Sequence, residues 1–149
     1  MEQLIIFIIL VAVGYTVGTV AEKKHYKSIE LREDALINMP AVTFKSIPVA
    51  DASLIKAEMV TGSAVIAVDY FKQVLAGLRN IFGGNVKSYE SLIDRARREA
   101  ILRMKESAGN ASMIINVRIE TSTIGKSNRK QKSTSVEALA YGTALTIQD

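Results

Sequence analysis

The chain has 149 residues, 48% of them hydrophobic, and a formal net charge of +4, which suits one ordinary domain with an accessory segment. It contains no cysteine, so disulfides, thiolate metal sites and cysteine nucleophiles are excluded. The lack of cysteine also fits a reducing compartment.

The N-terminal segment has the composition of a transmembrane helix, because residues 4–21 carry no charge. As a helix they would span roughly 27 Å, close to the thickness of the bilayer hydrocarbon. A helix that is apolar all round would otherwise need a large protein core around it, and the remaining chain is short for that. We therefore expect a membrane span at residues 1–22. A signal peptide cleaved after Ala21 is the alternative, although Glu2 gives it an acidic start where a basic one is usual.

The charges beside this segment predict its orientation. No Lys or Arg precedes it, and four cations follow it: Lys23, Lys24, Lys27 and Arg32. The positive-inside rule then predicts a single-pass membrane protein with its C-terminal domain in the cytoplasm. His25 and Tyr26 suit a collar at the membrane interface.

Residues 23–49 are expected to form a juxtamembrane helix and linker, ended by Pro40 because a proline disfavours helix in the residue before it. The stretch 40–48 is interpreted as a linker or an edge strand. Residues 50–149 are expected to form the folded domain.

The domain begins with a strand, because Ile55, Ala57 and Met59 alternate with polar residues. Gly62, after Thr61, interrupts the alternation and predicts a bulge or bend, and an apolar strand resumes over 64–68.

Two consecutive helices should follow. Asp69 is a good N-cap for the first, which Gly83 and Gly84 would end. Ser88 can cap the second, with Glu90 in its first turn and a stop near Asn110. The second helix has a predicted buried stripe: Tyr89, Leu92, Ile93, Ala96, Ala100 and Met104.

Two strands complete the pattern. Ile115, Val117 and Ile119 alternate with polar residues, whereas the strand 135–147 carries apolar residues on both faces. A strand that is apolar on both faces is covered twice, and one cover is expected to come from another subunit.

The stretch 61–90 resembles the YbjQ-like family, an uncharacterised bacterial family that carries a heavy-metal-binding label. The resemblance covers residues 53–147. Its matching positions are Thr61, Gly62, Ala64, Phe71, Ala76, Gly77, Arg79, Gly83, Gly84, Tyr89, Glu90, Val117, Arg118, Glu120, Thr121, Gly142, Thr143 and Ala144.

This resemblance implies an α+β fold: a β-α-β-β domain like a dodecin subunit, with two consecutive helices, that assembles as a homo-oligomeric ring, typically a pentamer. The chain departs from the family at Ser112 and Asn116, where the family usually has an acidic or amide residue and a glycine. These departures weaken any function placed there.

The expected roles of the matching residues are structural. Gly62, Gly83 and Gly84 would provide backbone geometry, and Phe71 and Tyr89 packing. Arg79 is expected to form an ion pair or subunit contact, with a plain surface charge as the alternative.

Metal and enzyme chemistry find little support in the residues. Met59, Met104 and Met113 fall at predicted core positions, and Asp69, Glu90 and Asp94 do not form an EF-hand loop. His25 lies outside the expected domain, so it is not available there for a Ser-His-Asp arrangement. Asp94 and Glu99 each lie four residues before an arginine and are interpreted as solvated ion pairs. We therefore predict no enzyme, no cofactor, and no catalytic or metal-binding residue.

A basic loop is the strongest candidate for binding. Its four cations are Lys126, Arg129, Lys130 and Lys132. Anionic lipid and nucleic acid are the partners that such a cluster suits, and a solvated hairpin tip is the alternative. The function predicted overall is a membrane-anchored, ring-forming binding or scaffold module. Divalent or heavy-metal binding and anion binding through the loop are the alternatives.

Overall fold

The structure, a computed structural model, describes residues 1–46, 55–67, 87–124 and 135–147. Within these ranges there are two helices, α1 (Glu2–Ala35) and α2 (Lys87–Ser107), and three strands, β1 (Ile55–Ala67), β2 (Met113–Ile124) and β3 (Ser135–Ile147). The strands form one antiparallel sheet in the order β1-β3-β2. The fold is therefore α+β, as predicted.

Several predicted features lie outside the described residues. They are the helix after Asp69 with its stop at Gly83 and Gly84, the matching positions Phe71, Gly77 and Arg79, and the basic loop with Lys126, Arg129, Lys130 and Lys132.

α1 is one unbroken helix of 34 residues, so the helix does not end where the membrane span was predicted to end. By length and composition it could cross a membrane, and none of its apolar window is buried against the rest of the chain. The hydroxyls of Thr16 and Thr19 donate to the backbone oxygens of Val13 and Tyr15 at 2.9 and 2.8 Å. The two threonine hydroxyls of this apolar stretch are thus satisfied within the helix.

α2 packs on one face of the sheet. Four residues of its predicted stripe are buried, which confirms that prediction: Leu92, Ala96, Ala100 and Met104. They meet the inward side chains of β1 and β3, namely Val60, Ala64, Val136, Ala138 and Ala140. Small residues dominate this contact, so the helix can lie close to the sheet.

Gly62 marks the closest approach of α2 to the sheet. β1 pairs with β3 without a register shift, so the bulge or bend predicted at Thr61 and Gly62 is wrong. A Cβ at position 62 would collide with the backbone of Ala100 and Met104 and lie 2.8 Å from the carbonyl carbon of Arg103. The glycine is needed for helix–sheet contact and not for a change of strand direction.

The bulge lies instead in β2. The register with β3 shifts between Ile115 and Arg118, and Asn116 has a φ of 52°. Ile115 pairs with Thr143 and Ile119 with Ala140, three positions apart on β3, so the two isoleucines face opposite sides of the sheet. The predicted single alternating face of β2 is therefore wrong. The left-handed conformation also explains why an Asn can stand where the family has a glycine.

α2 ends three residues before the stop predicted at Asn110. Its last residue is Ser107, and Gly109, with a φ of 58°, provides the left-handed turn that was expected at Asn110.

Residues 40–44 pair with the edge of the sheet at β2 through an isolated bridge, which agrees with the edge-strand interpretation of this segment. The amide of Ile114 donates to the Pro40 oxygen, and that of Val42 donates to the Ile114 oxygen, both at 2.9 Å. The amides of Asn116 and Val117 donate to Phe44 and Val42 at 2.8 and 3.0 Å. The chain that leaves α1 thus pairs parallel to β2, across its bulge.

The outer face of the sheet, opposite α2, is covered only in part. Leu145 is buried there, but Leu139 is 39% exposed and Met59 is 72% exposed. The prediction that Met59 is a core residue is wrong, whereas Met104 is fully buried as predicted.

Replacing Gly62 with Ala should destabilise the protein by about 3 kcal/mol, because the new methyl group meets backbone that cannot move aside. Gly109→Ala is the matched control: nothing lies within 4 Å of its added Cβ, and only the strained φ remains, at about 1 kcal/mol. Urea unfolding of the detergent-solubilised chain, followed by circular dichroism, measures both. Equal losses for the two variants would contradict this account of Gly62.

Candidate functional site

The contact between α1 and α2 is organised around the carboxylate of Glu99, which is only 4% exposed. Its Oε2 accepts a hydrogen bond from the Arg32 guanidinium of α1, and its Oε1 accepts one from Arg103 Nε at 2.9 Å. His25 Nε2 lies 3.8 Å from Oε2. Because His25, Ile29 and Arg32 recur at steps of four and three residues, they lie on one face of α1 and reach α2 together.

Glu99 is held in its ionised form. Burial acts to raise its pKa, but the hydrogen bonds from Arg32 and Arg103 outweigh that effect and place the pKa below the ordinary value. The same bond raises the pKa of Arg32. The carboxylate therefore needs its two arginines, one of which belongs to α1.

A second ion pair joins the helices on the neighbouring turn. Arg98 Nε and Nη2 donate to the two oxygens of Glu33 at 2.8 and 2.5 Å, a bidentate pair. This hydrogen bonding lowers the pKa of Glu33 and raises that of Arg98. The Arg98 guanidinium also lies 5.9 Å from the ring centre of Tyr26. Tyr26 Oη donates to the Ser91 carbonyl oxygen at 3.1 Å.

Side chains also fill the centre of the contact between α1 and α2 and its end near the C-terminus of α1. Ile29 is fully buried, as is Leu102 on α2, which supplies an apolar component between the ion pairs. Lys105 Nζ donates to the Leu36 carbonyl oxygen at 3.2 Å, where α1 ends. A cation at this position also complements the negative end of the α1 dipole.

The pKa of His25 lies below its ordinary value in this environment. Burial lowers its pKa, nearby Arg95 lowers it further, and Glu99 opposes them both. The Nδ1 of His25 and the Nε of Arg95 are buried without a hydrogen-bond partner. The contact around Glu99 therefore also contains two buried nitrogen atoms that are not satisfied.

Sequence reasoning missed the part that three residues play in this contact. His25 and Tyr26, predicted as an interfacial collar, also contact α2. Glu99, predicted to be solvated, is buried; Asp94, which lies 3.8 Å from Arg98, is exposed as predicted. The available signal was Ile29, an apolar residue with ionisable residues three and four positions away on both sides.

The predicted structural residues are not gathered into one site. The Thr61 oxygen accepts a hydrogen bond from Ser107 Oγ at 3.1 Å, Gly62 lies under the middle of α2, and Glu90 is exposed in the first turn of α2. Tyr89 lies in the same turn of α2 as Glu90. Among the described residues, no group of three or more His, Asp or Glu side chains is arranged to hold a metal ion.

A groove of about 520 Å³ follows the side of α2 that faces β2. It has three partly buried isoleucines, Ile93, Ile101 and Ile119, and a charged rim. The rim residues are Glu90, Asp94, Arg97 and Arg98.

Comparison with known proteins identifies the family of the domain. The family model of YbjQ, described as "Putative heavy-metal-binding", matches residues 39–148. The chain belongs to this family. A UPF0145 protein of Hahella chejuensis is 37% identical over 92 residues, which is 60% of this chain and 82% of the relative. UPF0145 proteins of Dehalococcoides mccartyi and Pyrococcus furiosus are each 38% identical, over 60% and 58% of this chain and 82% and 72% of theirs.

Among similar solved structures, a crystal structure of a protein of unknown function from Pediococcus pentosaceus, assigned to the DUF74 family, has a TM-score of 0.47. It is 16% identical and covers 74% of this chain and 98% of that one.

The family match divides the α1–α2 contact into two parts. Glu99 and Arg98 lie within the YbjQ match, whereas His25, Ile29 and Arg32 precede it. The contact therefore joins a YbjQ domain to a helix outside the matched region.

Glu99→Gln should destabilise the protein by about 2–4 kcal/mol at pH 7, because two arginines lose their buried counter-charge. Since the native pKa of Glu99 lies below 4.5, this contribution is present above pH 4.5 and is lost as the pH falls through the native pKa. Urea unfolding at pH 7 and pH 3 measures the difference between wild type and variant.

Glu106→Gln provides the control, because Glu106 is 43% exposed at its side chain and pairs only with Arg32 among these groups. Its loss should cost less than about 1 kcal/mol. A Glu99 variant that matched this control at pH 7 would contradict the role given to the buried carboxylate.

Proposed function

We propose that this chain is a membrane-anchored module of the YbjQ family that works by binding or assembly and not by catalysis. Its α1 holds the domain at a set height and orientation on the cytoplasmic surface of a bacterial membrane. One observation carries the proposal: a single helix has an exposed apolar half and a half that is fastened to the domain around Glu99.

The apolar half supports anchoring by its energetics. Its large side chains, from Leu4 to Val20, are 50–65% exposed. Each would gain about 1.5–3 kcal/mol on leaving water, so their sum is large compared with the stability of an ordinary domain. The hydroxyls of Thr16 and Thr19 bond to the helix backbone, as lipid would require.

The half of α1 that contacts α2 sets the orientation of the domain relative to the membrane. α1 and α2 run parallel, because Tyr26 contacts Ser91 and, further along both helices, Leu36 contacts Lys105. With residues 4–21 in lipid, the N-terminal end of α2 faces the membrane. Tyr26 would lie about 8 Å beyond the end of the span.

The sheet then presents one end to the membrane. β1 runs antiparallel to α2, since Ser107 bonds to Thr61 and Arg103 to Ser63. β3 is antiparallel to β1, and β2 is antiparallel to β3. The last residue of β2, Ile124, and the first residue of β3, Ser135, therefore lie at the membrane end.

This placement favours anionic lipid as the partner of the basic loop. The loop itself lies outside the described residues, but both strands that flank it end on the membrane side. Each of its cations, Lys126, Arg129, Lys130 and Lys132, would contribute about 1 kcal/mol of attraction to an anionic leaflet. Nucleic acid is the other anion that such a loop could bind.

Assembly is the second part of the proposal. The partly uncovered outer face of the sheet, with Met59, Val65 and Leu139 exposed, supports contact with further copies of the chain. The resemblance to a dodecin-like subunit favours a closed ring, typically a pentamer. The family description keeps divalent or heavy-metal binding as an alternative function, which calorimetry with a panel of metal ions would test.

Carbonate washing of membranes should leave the full-length chain in the pellet, because its anchor is a transmembrane helix. A variant of residues 22–149 keeps His25, Ile29 and Arg32 and should be soluble, with the α+β circular dichroism of the folded domain. N-terminal sequencing of the membrane-bound protein should find residues 1–21 retained. Release of the full-length chain by carbonate would refute the anchor, and loss of residues 1–21 would favour the signal peptide.

Replacing the four loop cations with Gln in the 22–149 variant should weaken its association with phosphatidylglycerol vesicles by about five-fold for each charge removed. Replacing Lys56, a cation of β1 whose ammonium lies 3.3 Å from Glu58, is the control and should have little effect. Flotation with phosphatidylglycerol or phosphatidylcholine vesicles measures association. Equal flotation of the loop variant and the parent would dispose of the lipid role, and retention of the parent on single-stranded DNA alone would favour nucleic acid.

A further inference from the structure

The face of α1 that points away from α2 carries an exposed ridge made of Lys27, Leu31 and Asp34. These residues are four and three positions apart, so they follow one line along the helix. Leu31 is 62% exposed, although it lies outside the apolar span and between two charged residues. A single exposed leucine is ordinary on a protein surface, so the case for a contact depends on the charges at the two ends of the ridge.

The groove beside α2 has the shape and charge to accept this ridge. Its isoleucines, Ile93 and Ile101 among them, offer an apolar surface to Leu31. Its rim is acidic at Glu90 and basic at Arg97. The two charges of the ridge are seven residues apart, and so are Glu90 and Arg97 of the rim. Seven residues span about 10.5 Å along a helix.

The order of the charges matters for orientation. Along α1 the ridge begins with a cation, Lys27, and ends with an acid, Asp34. Along α2 the rim begins with an acid, Glu90, and ends with a cation, Arg97. A parallel alignment of the two helices therefore pairs opposite charges at both ends, whereas an antiparallel alignment pairs like charges.

The proposed membrane anchor imposes the parallel alignment. Copies anchored in one membrane through α1 all point the same way, and an axis normal to the membrane keeps each residue at the same height in every copy. Within one chain, Tyr26 contacts Ser91 and Glu33 contacts Arg98, so the turns of α1 and α2 are already matched in height. The ridge of one copy thus lies level with the groove of its neighbour.

We propose that the ridge Lys27–Leu31–Asp34 of one copy occupies the groove beside α2 of the next copy. Leu31 packs on the isoleucines, Lys27 pairs with the acidic end of the rim, and Asp34 pairs with Arg97. The contact is head to tail, because each copy offers its ridge to one neighbour and its groove to another, and such contacts form a ring when the rotation between neighbours closes. This inference rests on the membrane anchor proposed above.

The absence of cysteine from the chain makes the test direct. A copy with Leu31→Cys and one tag is co-expressed with a copy that carries Ile101→Cys and a second tag, and carbonate-washed membranes are oxidised. The expected result is a disulfide-linked dimer that carries both tags. The control replaces the Ile101 variant with Asn110→Cys, an exposed position beyond the end of α2, and should yield at least several-fold less mixed dimer.

Charge reversal then tests the pairing. Lys27→Glu with Asp34→Lys in the ridge copy should reduce the mixed dimer several-fold, and Glu90→Lys with Arg97→Glu in the groove copy should restore it. Equal yields for the Ile101 and Asn110 pairs, or no response to ridge reversal, would overturn the proposal. So would an Ile101 adduct with a different protein.

The two proposals fail in different ways. Protein that stays in carbonate-washed membranes without forming the mixed dimer refutes only the ridge–groove contact. Protein that is absent from those membranes refutes the anchor, and the parallel alignment is refuted with it.

Discussion

A buried carboxylate governs the organisation of this protein. Glu99 lies on α2 between the sheet and α1, and it is ionised because Arg32 and Arg103 donate to it. A charge in such a position is costly unless both of its oxygens are satisfied, and one of the two donors comes from a helix that precedes the family domain. If α1 were detached, the carboxylate of Glu99 would lose the hydrogen bond from Arg32. The helix is therefore part of the folded structure and not a flexible tether.

The elements with strong periodicity could be predicted from the sequence, and the contacts between them could not. The stripe of Leu92, Ala96, Ala100 and Met104 was visible because a buried helix face repeats every three to four residues. Nothing comparable marks Glu99, because an acid four residues before an arginine looks the same in a solvated pair and in a buried one. Its burial depends on α1, which lies 67 positions away at Arg32.

Backbone conformation was the second source of error. Gly62 in a strand pattern suggested a bulge, but its role is to let the backbone of α2 approach, and only the packed structure separates these two uses. The true bulge, at Asn116, reversed the faces of Ile115 and Ile119. An alternating pattern assigns each residue to a face of the sheet by its position along the strand. One extra residue therefore puts every residue after it on the face opposite to the one predicted.

The unbroken course of α1 has a consequence for the geometry of the proposed anchor. Each residue of an α-helix turns the chain by about 100° and advances it by 1.5 Å. Because the helix continues from the apolar stretch into the contact at His25, Ile29 and Arg32, the azimuth of every side chain in the bilayer is set by the domain. Inserting one residue between these two halves would rotate the domain about the helix axis by roughly a quarter turn. Lipid-facing and partner-facing sides of the span are thus specified by side chains that lie outside the membrane.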